Sequence, residues 1–336
     1  MRQKISGEQG MTILITGAAG QDGTLLAHNL EDNQNVYALC RPSQIPKILA
    51  QTPWAHAIPI DLTNFPEVLN LLDRLQPSLI FNLAGFSSVR NSWDNKDLNF
   101  KVNYLLPKLF IDWIGERSPE TTLIQASSSE IYAGGIVSPQ TEITTARPNS
   151  PYGEAKLLAH NYLEHTREEQ SLKLFSAIMY NHESPLRSAD FVTRHISLGV
   201  AKILRGQSDS LTIGNMHSKR DWGWAPEYVE ALISISRLEN ASTFILSTGQ
   251  INTVADLVMH AFHSQGITAY EKFLKTDETR MRIVDAQALV GEASKAKAYF
   301  GWQSKTSVGE IMGKMVSWDL KVLDDPSVEF SLEWNH

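Results

Sequence analysis

A glycine-punctuated turn near the start of the chain restricts the fold more than any other feature. Residues 12–16 form an apolar run, three glycines follow at intervals of three residues, and residues 24–33 have the pattern of a helix. A backbone without side chains approaches a pyrophosphate closely, and the N-terminus of the following helix stabilises its charge. We therefore predict a dinucleotide site rather than an ordinary glycine-rich turn. The residues assigned to this site are Gly17, Gly20, Gln21, Asp22 and Gly23.

Short apolar runs alternate with amphipathic stretches through the first half of the chain. The predicted strands are residues 12–16, 35–40, 56–60, 79–84, 122–126 and 174–179, and the predicted helices are residues 24–33, 68–75, 105–114 and 152–168. Apolar strands separated by helices indicate an α/β fold with a doubly wound parallel sheet, covered on both faces. We expect residues 11–180 to form a Rossmann dinucleotide-binding domain. Residues 181–336 should form a smaller C-terminal lobe, interwoven with the first domain, that holds the substrate at the carboxyl edge of the sheet.

The end of the second predicted strand indicates which nicotinamide cofactor fits. An Asp or Glu there usually holds a ribose 2′-hydroxyl, whereas an Arg accommodates a 2′-phosphate. Here Arg41 follows Cys40 and no carboxylate is near in sequence, so we expect NADP. An arginine that is merely exposed after a strand is the alternative. Asp61 and Leu62 follow the third strand and are candidates for holding the adenine, with a capping aspartate before Thr63 as the alternative.

The composition excludes several classes of protein and site. The 336 residues carry 30 Lys and Arg against 37 Asp and Glu, a net charge of −7, which disfavours a broad nucleic-acid or anionic-membrane surface. No apolar run approaches the ~20 residues of a membrane helix, and the polar N-terminus contains no signal-peptide core. The single cysteine, Cys40, excludes an intrachain disulfide and a cysteine-cluster metal site. We expect a cytoplasmic protein without a bound metal.

A tyrosine and a lysine four residues apart are predicted to share one face of a helix. These residues are Tyr152 and Lys156. The ammonium and a positively charged nicotinamide would lower the pKa of the tyrosine, which makes its phenolate a usable base at neutral pH. A serine-rich strand end, residues 125–132 (QASSSEIY), supplies Ser128 and Glu130. We predict that these four residues form one catalytic group, with a polar strand end and a solvated loop acid as the alternatives.

Seven motifs are distributed over nearly the whole chain. They are residues 16–23 (TGAAGQDG), 82–84 (NLA), 125–132 (QASSSEIY), 150–156 (SPYGEAK), 180–185 (YNHESP), 191–194 (FVTR) and 219–223 (KRDWG). The last three are far more restrictive than the generic motifs of the fold. Together the motifs resemble those of the extended short-chain dehydrogenases/reductases and, within that superfamily, of the GDP-mannose 4,6-dehydratase family.

The resemblance implies a role for each matching residue. Tyr152 would be the base and Lys156 its electrostatic partner, while Ser128 matches the catalytic Ser or Thr. Glu130 matches the acid–base group that acts at C5 and C6 of the sugar. The further cofactor contacts that the resemblance implies are Leu83, Ala84, Ser87, Tyr152, Lys156, His182 and Arg187. The substrate contacts that it implies are Ser87, Ser128, Asn181, Val192, Arg220, Arg282 and Asp285.

The reaction implied by the resemblance is an internal oxidation and reduction of a GDP-sugar. C4 is oxidised, the C5 proton is removed, the 6-hydroxyl leaves as water, and the hydride returns to C6. The cofactor is restored in each turnover, so we expect NADP to stay bound. The resemblance also implies a homodimer, or a tetramer, built on a four-helix interface. Leu157, Leu158 and Tyr162 are candidates for its apolar face, and burial within the subunit is the alternative.

Departures from the family pattern leave several points open. Phe86 and Ser88 change the pocket wall, residues 282–287 keep only the arginine and an acid of the family motif, and the loop after Arg41 is short. The sugar is therefore open between mannose, a heptose and related sugars, as is the choice between dimer and tetramer. The alternative functions are a GDP-sugar 4-reductase, C4 dehydrogenase or epimerase of the same fold, and a non-catalytic nucleotide sensor. Glu130 favours the dehydratase because those other reactions need no elimination acid.

Overall fold

A seven-stranded parallel sheet forms the centre of the described part of the chain. The computed structural model describes residues 10–33, 35–277, 289–328 and 331–335. The strands are β1 (Ile13–Thr16), β2 (Val36–Cys40), β3 (His56–Pro59), β4 (Leu79–Asn82), β5 (Thr122–Ser128), β6 (Leu174–Met179), β7 (Asn181–Glu183), β8 (Leu211–Ile213), β9 (Lys219–Arg220), β10 (Trp222–Trp224), β11 (Thr243–Leu246), β12 (Asn252–Thr253) and β13 (Leu274–Thr276). The order in the sheet is β11-β6-β5-β4-β1-β2-β3. The strand order therefore reverses between β1 and β4, and ligands of such folds bind at this point.

Helices cover both faces of this sheet. They are α1 (Gln21–Asn29), α2 (Ile45–Gln51), α3 (Phe65–Leu75), α4 (Lys96–Phe100), α5 (Leu106–Arg117), α6 (Pro151–Gln170), α7 (Val192–Leu204), α8 (Ala225–Ile235), α9 (Val254–His263), α10 (Ser294–Phe300) and α11 (Val308–Asp324). A π-helical turn, Lys101–Leu105, joins α4 directly to α5. Within the described ranges, none of the helices has the length and apolar character required to cross a bilayer.

Alternate side chains of the sheet strands pack against opposite layers of helices. Ile13 and Ile15 of β1 lie in one core cluster with residues of α1 and α8. Leu14, between them, lies in a second cluster with residues of α3, α5 and α6. All three side chains are fully buried, which explains why such a strand has a continuous apolar run in the sequence. The predicted α/β fold with a doubly wound parallel sheet is confirmed.

Helix α1 begins earlier than the glycine spacing indicated. The sequence predicted a turn over residues 17–23 and a helix over residues 24–33, but α1 spans Gln21–Asn29 and follows Gly20 directly. Gly23 lies in its first turn, where a Cβ atom would be 2.4 Å from the carbonyl oxygen of Gly17. The low helix propensity of glycine is overridden here because only glycine allows the helix to pack so closely on the turn.

Residues beyond 180 contribute to the sheet and also form a core cluster of their own. Strand β11 pairs in parallel with β6 at the edge of the sheet, and α8 packs on α1. Helices α7, α9 and α11 enclose a third core cluster that includes Trp222 and Phe262. The first two elements pack this part of the chain against residues 11–180, and the third cluster is distinct from the cores on the two faces of the sheet.

Candidate active site

Polar side chains of three adjacent strands form a chain of hydrogen bonds across the sheet. Thr16 Oγ1 donates to Asn82 Oδ1 at 2.6 Å, and Asn82 Nδ2 donates to Gln125 Oε1 at 2.7 Å. The backbone N–H of Ala84 donates to Thr16 Oγ1 at 3.0 Å. The three side chains are buried, Thr16 and Asn82 at the ends of β1 and β4 and Gln125 beside Asn82 within β5. They fix the sheet edge at the point where the strand order reverses and where a ligand is expected.

The glycine turn leaves a bare backbone at this edge. Gly17 has a φ of +66°, in the left-handed region that favours glycine. A Cβ atom at this position would lie 2.9 Å from the backbone nitrogen of Ala84. Gly20 N–H donates to Gly17 O at 2.8 Å, which closes the turn before the nine-residue helix α1 begins. A bare turn followed by a helix N-terminus is a cradle that fits the pyrophosphate of a dinucleotide.

Gln21 and Asp22 join the start of α1 to residues 181–184. Asp22 Oδ2 lies 3.0 Å from His182 Nε2. Gln21 Nε2 donates to His182 O at 3.0 Å, and Ser184 Oγ donates to Gln21 Oε1 at 2.8 Å. Burial favours the neutral forms of Asp22 and His182, but their mutual attraction dominates, so the pKa of Asp22 is lowered and the pKa of His182 is raised. The structure therefore brings these cofactor candidates together at the glycine turn.

Two further contacts hold the same strand, β7. The His182 ring stacks on Tyr228 with a centroid distance of 4.6 Å. Arg187 Nε lies 3.3 Å from Glu183 Oε2, and its guanidinium lies 3.7 Å from the centroid of the Phe191 ring. The positive charge of Arg187 also lowers the pKa of both Asp22 and Tyr152. Arg187 is therefore near both the glycine turn and the predicted base.

The end of β5 and the start of α6 bring the predicted catalytic residues together. Strand β5 continues two residues past its predicted end, to Ser128, because the parallel pairing with β6 continues to Met179. Helix α6 begins at Pro151, one residue before the prediction, and its N-cap is Ser150, whose Oγ accepts from the Gly153 N–H at 3.2 Å. The Ser128 hydroxyl hydrogen-bonds the Tyr152 phenol.

Lys156 lies one helical turn beyond Tyr152 on the same face of α6. Its Nζ lies 6.0 Å from the centroid of the Tyr152 ring and donates to Ala126 O at 2.9 Å. Burial raises the pKa of Tyr152 to about 12 and lowers the pKa of Lys156 to about 8. The Ser128 hydrogen bond acts in the opposite direction on Tyr152, by stabilising its phenolate. A positive ligand beside the tyrosine is therefore needed before the phenolate forms near neutral pH.

Glu130 lies in the 3₁₀ turn Ser129–Tyr132, immediately after β5. Its backbone N–H donates to Ser128 Oγ at 3.2 Å, and its side chain is buried. Its backbone carbonyl packs on the first turn of α6, since a Cβ atom on Gly153 would lie 2.6 Å from that oxygen. The negative charge of Glu130 raises the pKa of Tyr152, so the two side chains are close enough to interact. Glu130, the fourth predicted catalytic residue, thus lies beside Ser128 and Tyr152.

The cofactor candidates that follow β2 and β3 lie at the sheet edge. They lie outside the buried group formed by the four predicted catalytic residues. Arg41 is exposed immediately after β2. The Asp61 carboxylate accepts hydrogen bonds from the Thr63 backbone at 2.9 Å and the Thr63 hydroxyl at 2.8 Å, which close a local turn before α3, whose N-cap is Asn64. Leu62 packs against the second core cluster. The sequence did not indicate Lys47 of α2, whose Nζ donates to Ala19 O at 2.8 Å and brings a cation to the glycine turn.

Residues assigned to the substrate lie on the C-terminal side of the edge. Asn181 pairs with Trp222 across the parallel strands β7 and β10, and Val192 is the first residue of α7. Arg220 is 4% exposed at the end of β9, and its Nη1 donates to Lys219 O at 2.7 Å. Arg282 and Asp285 lie outside the described residues. Among the residues that are described, no three His, Cys, Asp or Glu side chains are placed to hold a metal ion.

The loop after β4 contains both predicted candidates and a residue that sequence reasoning missed. Leu83 is partly buried, Ala84 is buried against the glycine turn and Ser87 is exposed. Asn103, in the π-helical turn, accepts from the Phe86 N–H and donates to Phe86 O, both at 3.2 Å. A Cβ atom on Gly85 would lie 3.2 Å from Asn103 Oδ1 and 3.6 Å from Lys156 Nζ. Asn103 thus supports the loop after β4. The only sequence signal for this role is an asparagine within a helical segment.

Comparisons with known proteins agree with this arrangement. The sequence profile of the GDP-mannose 4,6 dehydratase family matches residues 14–315. The chain is 31% identical over 347 residues to the GDP-mannose 4,6 dehydratase of Cricetulus griseus, covering 94% of this chain and 93% of that protein. These two matches carry the family assignment because they extend over nearly the whole chain.

Solved structures share the fold. MoeE5 in complex with UDP-glucuronic acid and NAD has a TM-score of 0.78 and 24% identity, covering 92% of this chain and 99% of that one. RMD from Pseudomonas aeruginosa, complexed with NADPH, has a TM-score of 0.75 and 19% identity, covering 93% and 99%. Identities this low establish the fold alone, whereas the family profile and the relative from Cricetulus griseus establish the family. The chain belongs to the GDP-mannose 4,6-dehydratase family.

Proposed function

We propose that this chain is a GDP-sugar 4,6-dehydratase that acts on GDP-mannose or a close GDP-sugar. The observation that carries the proposal is the position of Glu130, buried directly after Ser128 and interacting with Tyr152. A 4-reductase, C4 dehydrogenase or epimerase needs the Tyr–Lys pair but no elimination acid. A buried carboxylate beside such a pair of titratable side chains is typical of an acid–base site.

Each catalytic residue has a role that follows from its surroundings. Tyr152, once ionised, removes the proton of the substrate 4-hydroxyl. Ser128 donates a hydrogen bond to the oxygen of that 4-hydroxyl and so orients it. The Lys156 ammonium stabilises the phenolate in a buried, weakly screened position. The new 4-ketone acidifies the C5 proton, which Glu130 removes. Glu130, now protonated, delivers its proton to the departing 6-hydroxyl, so water leaves and the carboxylate is restored. Hydride return to C6 is completed by a proton at C5, which balances the proton that Tyr152 took from the 4-hydroxyl.

A nicotinamide cofactor fits the glycine turn, and several residues of this chain would hold it. The backbone at Gly17 and Gly20 and the N-terminus of α1 would hold the pyrophosphate, with the Asp22–His182 pair and Arg187 nearby. When bound, the nicotinamide supplies the acceptor and donor for the hydride that leaves C4 and returns to C6. The chain would form a cofactor-binding part over residues 11–180 and a nucleotide-sugar-binding part over residues 181–336, where Asn181, Val192 and Arg220 are the proposed substrate contacts.

The experiment that tests the function is incubation of the purified protein with GDP-mannose and no added reductant. Parallel reactions contain GDP-heptose, UDP-glucose and dTDP-glucose, and mass spectrometry identifies the products. We expect a GDP-sugar product that has lost one water. A product of unchanged mass that separates from the substrate by chromatography assigns the epimerase, and a product that loses two hydrogens, with reduced cofactor formed in equal amount, assigns the C4 dehydrogenase. The reductase is assigned by a separate reaction in which added NADPH reduces a GDP-4-keto sugar by two hydrogens.

NADP is the proposed cofactor, and Arg41 is the residue expected to select it. We expect Arg41→Asp to weaken NADP binding by about tenfold or more relative to NAD, because a charge-assisted hydrogen bond to the 2′-phosphate is worth ~1.5–3 kcal/mol. Titration of both cofactors by calorimetry measures this, with the equally exposed Arg74→Asp as the matched control. If the unmodified protein binds NAD as tightly as NADP, Arg41 does not select the cofactor.

A homodimer is the proposed assembly. Leu98 and Phe100 of α4 and Leu158 of α6 are 43%, 40% and 44% exposed on helices that pack against each other, so exposed apolar side chains are available there for contact with a second copy of the chain. Of the other candidates, Leu157 packs against a core cluster, and the Tyr162 hydroxyl hydrogen-bonds Asp112 within the subunit. Both are therefore weaker candidates than Leu158.

Light scattering tests the dimer directly. We expect the unmodified protein to be a dimer with twice the 37.5-kDa mass of the chain. We expect Leu158→Glu to be a monomer, because the new carboxylate would be buried in the interface without a partner. Leu49→Glu is the matched control, since Leu49 is 53% exposed on α2, which covers the opposite face of the sheet. If the unmodified protein is a monomer, the proposal is wrong. If it has four times the mass of the chain, the assembly is a tetramer instead.

We also propose a cytoplasmic location. The chain has one cysteine, Cys40, which is a free buried thiol at the end of β2. A chain without a disulfide suits a reducing compartment. Cell fractionation of the source organism, with an antibody against the protein, tests this location.

A further inference from the structure

Gln140 lies in residues 129–150, which contain Glu130 and are called the Glu130 loop below. It joins this loop to residues 289–292, which are far away in sequence. It is 2% exposed in the connection between the turn that carries Glu130 and helix α6. Its side-chain oxygen accepts from the Tyr180 hydroxyl at 2.7 Å and from the Val290 N–H at 3.1 Å. Its backbone N–H donates to Val290 O at 2.8 Å, and its carbonyl accepts from the Glu292 N–H at 2.9 Å. Residues 289–292 are therefore hydrogen-bonded along one side to this single residue.

Asp221 holds the same segment from the other side. Its backbone N–H donates to Leu289 O at 3.1 Å, and its carboxylate accepts from the Gly291 N–H. The carboxylate also accepts from the Thr248 N–H at 2.9 Å and the Gly249 N–H at 2.8 Å. Asp221 directly follows Arg220, a proposed substrate contact whose positive charge and forked guanidinium suit the diphosphate of the nucleotide sugar. The segment 289–292 thus lies between the loop of the acid–base residue and the strand of the diphosphate arginine.

The packing around this segment leaves little freedom to shift. A Cβ atom on Gly291 would lie 2.6 Å from the Tyr180 ring and 2.7 Å from Ser247. Tyr180 and Leu289 are each 1% exposed. The distance between the Glu130 loop and Arg220 is therefore set through one tightly packed segment with Gln140 on one side and Asp221 on the other.

We propose that Gln140 is a positioning residue, which fixes the distance between the acid–base group and the diphosphate site. This proposal rests on the proposed function, because a GDP-sugar must place its diphosphate at Arg220 and its hexose at Glu130 at the same time. Gln140 touches neither the reacting atoms nor the cofactor site. Its replacement should therefore impair turnover of the whole nucleotide sugar while each end of the site still binds its own ligand.

Steady-state kinetics of Gln140→Leu with GDP-mannose tests the proposal. Leucine has a similar size but leaves the Tyr180 hydroxyl and the Val290 N–H without their acceptor. We expect kcat per NADP-loaded subunit to fall at least ~10-fold, since a misplacement of about 1 Å costs up to ~10²-fold. The affinities for NADP and for GDP alone should change less than about threefold. Ile143→Ser, in the same loop but 94% exposed, is the matched control and should behave as the unmodified enzyme.

A second variant keeps the test decisive when Gln140→Leu does not fold. Tyr180→Phe removes one of the two donors to the amide oxygen and preserves the shape of the ring. We expect a smaller loss of kcat, about threefold to tenfold, with unchanged NADP and GDP affinity. If either folded variant turns over at the normal rate per loaded subunit, Gln140 is a structural residue only and the proposal is overturned. If the unmodified enzyme fails to dehydrate any GDP-sugar, the proposed function falls instead.

Discussion

Glu130→Gln should give an enzyme that oxidises its substrate at C4 but no longer expels water. Oxidation requires only Tyr152, Lys156 and the cofactor, whereas elimination also requires a group to remove the C5 proton and protonate the leaving hydroxyl. Glutamine keeps the size of the side chain and a hydrogen-bonding head but cannot take a proton. Water loss should therefore fall by at least ~10²-fold, the lower range for a positioned acid–base group.

The matched control for this prediction is Tyr152→Phe, which should suppress both steps. Single-turnover absorbance of reduced nicotinamide measures the oxidation, and mass spectrometry of the sugar measures the elimination. In Glu130→Gln we expect the absorbance to rise and persist, and in Tyr152→Phe we expect it not to rise. Normal dehydration by Glu130→Gln would show that another group removes the C5 proton.

Lys156→Met should abolish activity and yet stabilise the cofactor-free protein. Burial lowers the pKa of Lys156 from 10.5 to about 8 in the folded state. Between those values the folded protein binds fewer protons than the unfolded chain, so stability from this group rises as the pH rises from 8 to 10.5. Below pH 8 the full cost of burying the ammonium is present. Methionine removes that cost, which a shift of this size puts on the order of 1–3 kcal/mol.

The substitution should not leave a new unsatisfied group. Ala126 O, the acceptor of the Lys156 ammonium, also accepts from Gln125 Nε2 at 2.8 Å. Melting of the cofactor-free protein at pH 7 and near pH 10.5 measures the effect. The stabilisation should be largest at pH 7 and nearly absent near pH 10.5, while dehydration falls by at least ~10²-fold because the Tyr152 phenolate loses its partner. A variant that melts earlier than the unmodified protein at pH 7 would contradict this account.

The sheet and the proximity of the proposed catalytic residues were predictable because their signals are local in sequence. Strands buried on both faces, such as β1 and β6, appear as continuous apolar runs. Tyr152 and Lys156 share a helix, and Ser128 and Glu130 flank one strand end, so the fold needs to bring only two segments together. The end of β5 was predicted two residues early and the start of α6 one residue late, because the pairing with β6 and the cap at Ser150 decide these bounds.

Other features depend on pairings that no local pattern specifies. The ion pair between Asp22 and His182 joins residues 160 positions apart, and each side chain alone has an ordinary surface explanation. Strand β11 is a four-residue apolar run whose place beside β6 is decided by tertiary packing. Helix α2, which carries Lys47 to the glycine turn, contains a proline and lacks a long apolar period, so it was not predicted.

The central claim is that one active site oxidises C4, eliminates water and returns the same hydride to C6. The most direct test is a reaction with GDP-mannose that carries deuterium at C4, followed by mass spectrometry and NMR of the product sugar. The account predicts a product that has lost one water and carries the deuterium at C6, with no net consumption of added cofactor. Deuterium that appears in free reduced cofactor, or a product that keeps its 6-hydroxyl, would contradict it.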